Sequence, residues 1–314
     1  MSSDANCQEK ELVRSQMALR TQEFMEGQTM LRNQGFTEDQ TAVCRVCPHH
    51  CNIPVGAFGR CRARKNVGGK VICTNYGKLT SMALDPIEKK PLAYFLPGSM
   101  ILSVGSYGCN LSCPFCQNYE ISMAGESDFR ILQEVSPQKL CSLAMREASR
   151  GNVGVAYTYN EALTGYEYVR DSARLVHEAG MVNVLVTNGM AELPVLEELL
   201  PFIDAMNIDL KGFRPDVYRK LGGALGTVKA FITRASQNCH VELTSLIVPG
   251  LNDDPADMER QAEWIAQIDP RMPLHLTRYF PRYRMHEKPT ELSLLTRLKK
   301  VAQKSLERVL LGNV

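Results

Sequence analysis

Three cysteines sit close together at the end of an apolar run. Cys109, Cys113 and Cys116 fall in Tyr107-Gly108-Cys109-Asn110-Leu111-Ser112-Cys113-Pro114-Phe115-Cys116, a C-x3-C-x2-C spacing. Thiolates are soft ligands suited to an iron–sulfur cluster or zinc. The number three matters, because a cubane held by three cysteines leaves one iron open to a small chelating molecule. The same residues also admit unligated structural thiols, or a zinc site completed from elsewhere.

A second set lies upstream: Cys44-x2-Cys47-x3-Cys51-x9-Cys61. Four ligands close a site, as in structural zinc, the slightly preferred reading, or a complete second cluster, and the residues do not choose between them. His49 and His50 lie inside the set and Cys73 just beyond it, as further ligand candidates. Arg60, Arg62, Arg64 and Lys65 bring positive charge to a thiolate-rich centre. Eight of the 11 cysteines fall between Cys44 and Cys116. The odd total, with no export signal at the polar N-terminus, argues against a disulfide framework and for the cytoplasm. Cys7, Cys141 and Cys239 are isolated and read as free thiols.

These residues need elements to hold them. Six β-branched apolar runs, 100–106, 153–158, 182–187, 205–210, 240–248 and 273–279, are continuous rather than alternating, the pattern of parallel strands covered on both faces. Helices are expected between them at 137–150 (Ser136 as cap, Pro137 at the first position), 165–179 (stopped by Gly180), 194–201, 226–237 and 256–267. Alternating strand and helix makes an α/β fold of βαβ units, either an open sheet or a barrel. Both place chemistry at the C-terminal ends of strands, where the Cys109 loop begins. The expected divisions are a helical segment over 1–40, a cysteine-rich module over 41–95, the α/β unit over 96–285 and a C-terminal helix over 286–314.

Composition narrows the function. The chain has 314 residues, 44% hydrophobic and 22% charged, with a net charge of +2. No basic field points to nucleic acid, and no apolar run is long enough for a membrane span.

The Cys109–Cys116 motif, with aromatic Phe115 before the third cysteine, resembles that of the radical S-adenosylmethionine (radical SAM) enzymes. The segments DPIEKKPLAYFLPGS and GCNLSCPFCQNYEIS are similar to the branch containing the pyruvate formate-lyase activating enzyme, and within it to the AmmeMemoRadiSam system subgroup. The likeness covers residues 44–285. It implies a partial (β/α)6 barrel and a [4Fe-4S] cluster on Cys109, Cys113 and Cys116. It implies S-adenosylmethionine bound at the open iron and cleaved to a 5′-deoxyadenosyl radical that takes hydrogen from a substrate. An electron donor such as flavodoxin or ferredoxin follows, and a protein substrate whose glycine loses hydrogen. Chemistry on a small molecule or a non-glycyl protein site is a second reading, and a non-catalytic metal scaffold a third.

The resemblance also nominates cofactor-pocket residues. Glu161 ends Thr158-Tyr159-Asn160-Glu161, where the family has a Gly-Gly-Glu element that meets the methionine ammonium. Here Tyr159 and Asn160 replace the glycines, and Asn160 as a helix cap with Glu161 in the first turn is a compatible reading. Thr187 and Asn188 precede Gly189, although Asn-Gly also makes an ordinary turn. Asp209 and Lys211 resemble the family's Asp-x-Lys element and, two apart on a strand, share a face. Val248 begins a Val-Pro-Gly element that borders the adenosine in the family. Phe115, Asn118 and His275 complete the set, with a satisfied core histidine as the other reading of His275. Arg278, Arg282 and Arg284 either attract an anionic or peptide substrate or form a solvated edge.

Overall fold

The computed structural model describes residues 41–314. The helical segment and Cys7, expected within 1–40, lie outside the described residues.

The main sheet has eight strands. Six are those expected from the apolar runs: β7 (Met100–Gly105), β9 (Asn152–Tyr157), β10 (Val182–Thr187), β11 (Ala205–Asp209), β12 (His240–Ile247) and β13 (Leu274–Arg278). They run parallel in that order. Two more flank them. β6 (Ser81–Pro86) pairs antiparallel with β7, and β14 (Val309–Gly312) pairs parallel with β13. The order ends at β14 on one side and β6 on the other, so the barrel is partial. The module expected over 41–95 thus contributes its last strand to the main sheet. The single C-terminal helix expected over 286–314 is instead a shorter helix followed by β14.

Helices cover the outer face. α1 (Tyr119–Ser122) follows the cysteine loop. Then come α2 (Pro137–Arg146), α3 (Tyr166–Glu178), α4 (Leu193–Leu199), α5 (Pro215–Lys220), α6 (Leu225–Ala235), α7 (Pro255–Ile268) and α8 (Leu292–Ala302). Their ends follow local chemistry. Ser136 Oγ accepts the Lys139 amide at 3.2 Å and Pro137 follows as the first helical residue, satisfying donors a helix start leaves open. Asp254 does the same for α7. Gly180 follows α3 at φ +72°, a left-handed turn that glycine enters without strain. The outward residues of the strands pack on these helices in one extensive core.

Inside the barrel the lower layer is closed by the segment after β6. Ile87 and Leu92 join Ile101, Ala156, Val184 and Ala205 in a separate buried cluster. Glu242, fully buried on β12, ties this plug down. It accepts the amides of Ala93 at 3.0 Å and Tyr94 at 2.7 Å, and the rings of His240 and His275 at 2.9 and 2.6 Å. Asn207 Nδ2 donates to the Pro91 carbonyl at 2.9 Å. The DPIEKKPLAYFLPGS segment therefore fills the barrel floor rather than belonging to a separate module.

The residues before β6 form small two-stranded pairs: β1 (Ala42–Val43) with β2 (Asn52–Ile53), β3 (Arg64–Val67) with β4 (Lys70–Cys73), and β5 (Lys78–Leu79) with β8 (Gln133–Glu134). Among the described residues no helix is long and apolar enough to cross a membrane.

Candidate active site

A cavity of about 350 Å³ opens above the plug at the C-terminal ends of the strands, within the range of small-molecule sites. Cys109, Cys113 and Cys116 line it together, carried by the loop that leaves β7. Gly108 begins that loop at φ +89°, and a Cβ there would sit 2.5 Å from the Cys61 carbonyl oxygen. Only glycine allows the approach. Asn160 pins the same stretch from β9. Its Oδ1 accepts the Ser106 amide at 2.9 Å, and its Nδ2 donates to the Tyr107 and Gly108 carbonyls at 3.0 and 3.1 Å.

Cys113 is buried, and Cys109 and Cys116 are partly so. Burial, with the Cys116 charge, pushes Cys113 up to about 11 against the opposing pull of the Lys211 ammonium, and burial with the Glu161 and Cys113 charges pushes Cys109 well up. Free, Cys109 and Cys113 carry their protons, and a bound metal displaces them. The Leu111 amide donates to Cys109 Sγ at 3.4 Å and Asn188 Nδ2 lies 3.7 Å from it. Among the described residues no three His, Cys, Asp or Glu side chains are grouped to hold a metal ion. Three convergent soft ligands with amide donors aimed at sulfur, beside an open cavity, fit an iron–sulfur cluster with room for a chelating ligand.

The opposite wall is polar. Asp209 and Lys211 both line the cavity and pair at 2.8 Å. Burial opposes the Lys211 charge, but Asp209 and the Cys113 thiol outweigh it and hold the ammonium on. The Tyr218 hydroxyl accepts the Lys211 amide at 3.1 Å, fixing the backbone. Glu161 also lines the cavity, nearly fully buried, with three internal donors. The Leu163 amide (3.1 Å) and Thr187 hydroxyl (2.7 Å) reach Oε1, and the Asn188 amide (2.8 Å) reaches Oε2. A carboxylate has about four acceptor positions, so one remains for a ligand ammonium. Burial raises its pKa, against these donors. Glu161, not Asn160, caps the short turn that follows.

Phe115, Asn118, Tyr159, Asn160, Thr187 and Asn188 all reach this cavity. Tyr159 stands at φ +70°, a conformation that costs a residue with a Cβ roughly 1–2 kcal/mol. Its hydroxyl donates to Asp85 at 2.6 Å, its ring carries the Lys90 ammonium 4.6 Å from the centroid, and its carbonyl accepts Asn118 Nδ2 at 2.7 Å.

Two expected pocket residues lie elsewhere. His275 sits one layer lower, bonded to Glu242, so the core-histidine reading is the observed one. Its neighbour two residues on, Thr277, takes the place at the cavity. Val248 is buried in the loop after β12 and is not part of the lining. That loop acts through Asn252, whose side chain accepts the Val248 amide at 2.7 Å and donates to the Lys211 carbonyl at 3.0 Å. The sequence held no signal that Asn252 reaches Lys211. Lys89 and Pro91 of the plug also line the floor. Arg278 donates to the Thr290 carbonyl at 2.8 Å, while Arg282 and Arg284 stack on Tyr119 and Tyr283 at the rim.

A family model described as the radical SAM superfamily matches residues 103–262, the span from the first barrel strand to α7. The chain belongs to the radical SAM superfamily. The chemistry of this radical SAM protein therefore rests on a [4Fe-4S] cluster and S-adenosylmethionine, and it is an enzyme, which removes the non-catalytic scaffold reading. Over 282 residues it is 35% identical to an uncharacterized protein of Methanocaldococcus jannaschii, covering 86% of this chain and 81% of that one. It is 27% identical over 161 residues to the pyruvate formate-lyase 1-activating enzyme of Escherichia coli, covering 50% of this chain and 65% of that enzyme. Among solved structures, Streptococcus suis SuiB bound to S-adenosylmethionine superposes with a TM-score of 0.52 at 12% identity, over 72% of this chain and 52% of that one. A radical SAM methyltransferase from Sphaerobacter thermophilus gives 0.51 at 17%, over 69% and 67%. These two likenesses are of fold.

Proposed function

We propose that Cys109, Cys113 and Cys116 hold the [4Fe-4S] cluster, and that the enzyme removes a hydrogen atom from a glycine of a partner protein. The observation that supports the site is the convergence of the three thiols, the Glu161 carboxylate and the Asp209–Lys211 pair on one cavity at the strand ends. When bound, the cluster and S-adenosylmethionine supply a one-electron cleavage of a carbon–sulfur bond that yields a 5′-deoxyadenosyl radical.

The residues of the chain orient and shield. Glu161 offers its remaining acceptor position to the methionine ammonium, while Thr187 and Asn188 hold its carboxylate still. Lys211 compensates thiolate charge next to Cys113 and, paired with Asp209, presents a fixed dipole to the bound ligand. The plug beneath, with Lys89 and Pro91 as its upper surface, closes the lower end to water. Support for a glycine substrate comes from the E. coli activating enzyme, whose matched segment covers about half of this chain. An external one-electron donor such as flavodoxin or ferredoxin completes the scheme. The ten free cysteines among the described residues suit a reducing cytoplasm.

The test is anaerobic reconstitution followed by reduction with S-adenosylmethionine present. Wild type releases 5′-deoxyadenosine and the Cys113→Ala variant does not; equal release by both sinks the cluster assignment. Incubation with candidate glycyl-radical enzymes, followed by electron paramagnetic resonance, tests the substrate. Cleavage of S-adenosylmethionine without a glycyl doublet on any such partner turns the reading toward a small molecule or another protein site.

A further inference from the structure

Three arginines at the end of β13 and just beyond it are not used alike. Arg278 is engaged: its Nε donates to the Thr290 carbonyl at 2.8 Å and its guanidinium covers Phe280. Arg282 and Arg284 instead build a stack. The rings of Tyr119 and Tyr283 lie face to face, their centroids 4.6 Å apart and their planes 15° from parallel. The Arg282 guanidinium lies 5.5 Å from the Tyr119 centroid, and the Arg284 guanidinium 4.9 Å from that of Tyr283. Both tyrosines are half-buried and both arginines are exposed.

The backbone imposes this stack. Arg282 and Met285 exchange amide-to-carbonyl bonds of 3.1 and 3.2 Å across a two-residue turn. Tyr283 takes the first turn position at φ +58°, a place that glycine favours and a Cβ strains. Strain of this kind persists where surrounding contacts enforce it, and it gathers at ligand clamps. The Arg284 amide donates to the Pro114 carbonyl at 2.9 Å, between Cys113 and Cys116. Tyr119 follows Asn118, which lines the radical cavity and donates to the Tyr159 carbonyl at 2.7 Å. The stack therefore stands at the edge of that cavity but outside its lining. Its charge is unanswered. Neither guanidinium meets a carboxylate within ion-pair distance among the described residues. Over 280–289, Arg282, Arg284 and Lys288 stand against one acid, Glu287, whose carboxylate accepts the His286 amide at 3.1 Å. The acid next to Tyr119 is Glu120, which accepts the Tyr119 hydroxyl at 3.3 Å.

Resting on the reading of a protein substrate given above, we propose that Arg282 and Arg284 dock acidic side chains that flank the substrate residue losing its hydrogen. A guanidinium presents a planar fork of donors that matches a carboxylate with two bonds. Stacking on two rings holds both forks in place before the partner arrives, so less freedom is lost on binding. Position selects the class of partner. A small molecule held wholly inside the cavity does not extend to a stack outside its lining, whereas a peptide crossing the mouth does. The occupant is an acidic peptide segment rather than a free anion. The attachment of Arg284 to the Pro114 carbonyl ties this docking point to the same loop that carries Cys113 and Cys116.

The experiment uses the full chain, reconstituted anaerobically, with S-adenosylmethionine and a short fluorescent peptide. The peptide has a central glycine flanked on both sides by glutamates, and a second version carries glutamines instead. Fluorescence anisotropy should show the glutamate peptide binding roughly fivefold to tenfold tighter, the joint effect of two exposed charge pairs. The difference should shrink as salt is raised. Arg282→Gln/Arg284→Gln should erase the preference with iron content equal to wild type, and Arg282→Glu/Arg284→Glu should prefer a lysine-flanked peptide. Equal affinity of wild type for the glutamate and glutamine peptides overturns the proposal, as does a preference that survives in the glutamine variant. Displacement of the peptide by free glutamate or inorganic phosphate at the peptide's own concentration also overturns it, in favour of a small-anion site. Binding is read without turnover. A glutamate preference with no glycyl radical formed overturns the glycine reading alone, and a glycyl radical formed on a partner with no charge preference overturns this proposal alone.

Discussion

Asn188 Nδ2 donates to Asn110 Oδ1 at 2.9 Å, and the same nitrogen lies 3.7 Å from Cys109 Sγ. Asn110 in turn donates to the Met190 carbonyl at 2.6 Å and contacts Cys47. Two residues from different strand ends thus meet between the two thiol sets. Through Asn110 and Asn188, the position of the first cluster cysteine depends on the turn after β10.

Asn110→Ala removes those side-chain bonds while leaving every thiol in place. Each buried neutral bond is worth about 1 kcal/mol, and about 1.4 kcal/mol is tenfold in rate. Reductive cleavage of S-adenosylmethionine should fall about tenfold with reconstituted iron content unchanged. Unchanged cleavage would show that Asn110 positions nothing.

Glu161→Gln keeps the shape of the side chain but removes its charge and turns an amide toward at least one donor. Binding of S-adenosylmethionine to the reconstituted protein, followed by calorimetry, should weaken by at least tenfold, while cluster absorbance persists. Because burial raises the Glu161 pKa, its ionisation in the fold opposes stability. That opposition is absent below its ordinary range, grows as pH rises, and is complete above the folded pKa. The Gln variant should lose this component of the pH–stability curve. Wild-type affinity in the variant would remove Glu161 from the ammonium site.

Glu242 has the opposite sign. Burial alone would raise its pKa, but His240, His275 and the amides of Ala93 and Tyr94 together bring it down to about 2. The unfolded chain then binds the proton more readily, so the stabilisation is complete above the ordinary carboxylate value and disappears as pH falls toward about 2. From the difference with the ordinary value of 4.5, the contribution is roughly 3 kcal/mol. Denaturant titrations across that window should show Glu242→Gln losing much of the acid dependence of wild type. Parallel pH curves for the two would contradict the plug's dependence on this carboxylate.

Tyr159→Phe deletes the hydroxyl bonded to Asp85 while keeping the ring under Lys90. Burial raises the Asp85 pKa, but Tyr159 and Lys90 outweigh it and hold the carboxyl well below its usual range. A hydrogen bond to a charged group is worth about 1.5–3 kcal/mol, so the unfolding free energy from chemical denaturation at neutral pH should drop by that amount, lowering the midpoint. An unaltered midpoint would mean that the two lysines satisfy Asp85 unaided.

Much of the architecture follows from local pattern. The six barrel strands lie within a residue or so of the apolar runs, because continuous β-branched stretches bounded by Gly, Asn and Pro have few other solutions. Ser136-Pro137 and Gly180 mark helix ends through capping and left-handed backbone. β14 escaped notice because Val309–Gly312 is short and follows a helix with no turn signal to separate them. β6 falls in the stretch over 76–99, which reads as short strands and turns around three prolines, but its pairing with β7 is not in that pattern.

By itself the sequence determined the chemical inventory: three cysteines at a strand end, four more upstream, and the Asp209–Lys211 alternation that puts two charges on one face. Those depend on spacing and on the periods of strand and helix. Tertiary structure decided which polar groups remain available. His275 lies one layer too deep and is taken by Glu242, Val248 turns into its own loop, and Glu161 reaches the cavity with three acceptor positions already filled. The same applies to the stretch over 76–99, which reads as short strands and turns around three prolines, but whose residues 87–95 plug the barrel once β12 supplies a buried carboxylate for the Ala93 and Tyr94 amides. Partners distant in the chain fix these outcomes, and a one-dimensional pattern carries no record of which distant group arrives first at a buried donor.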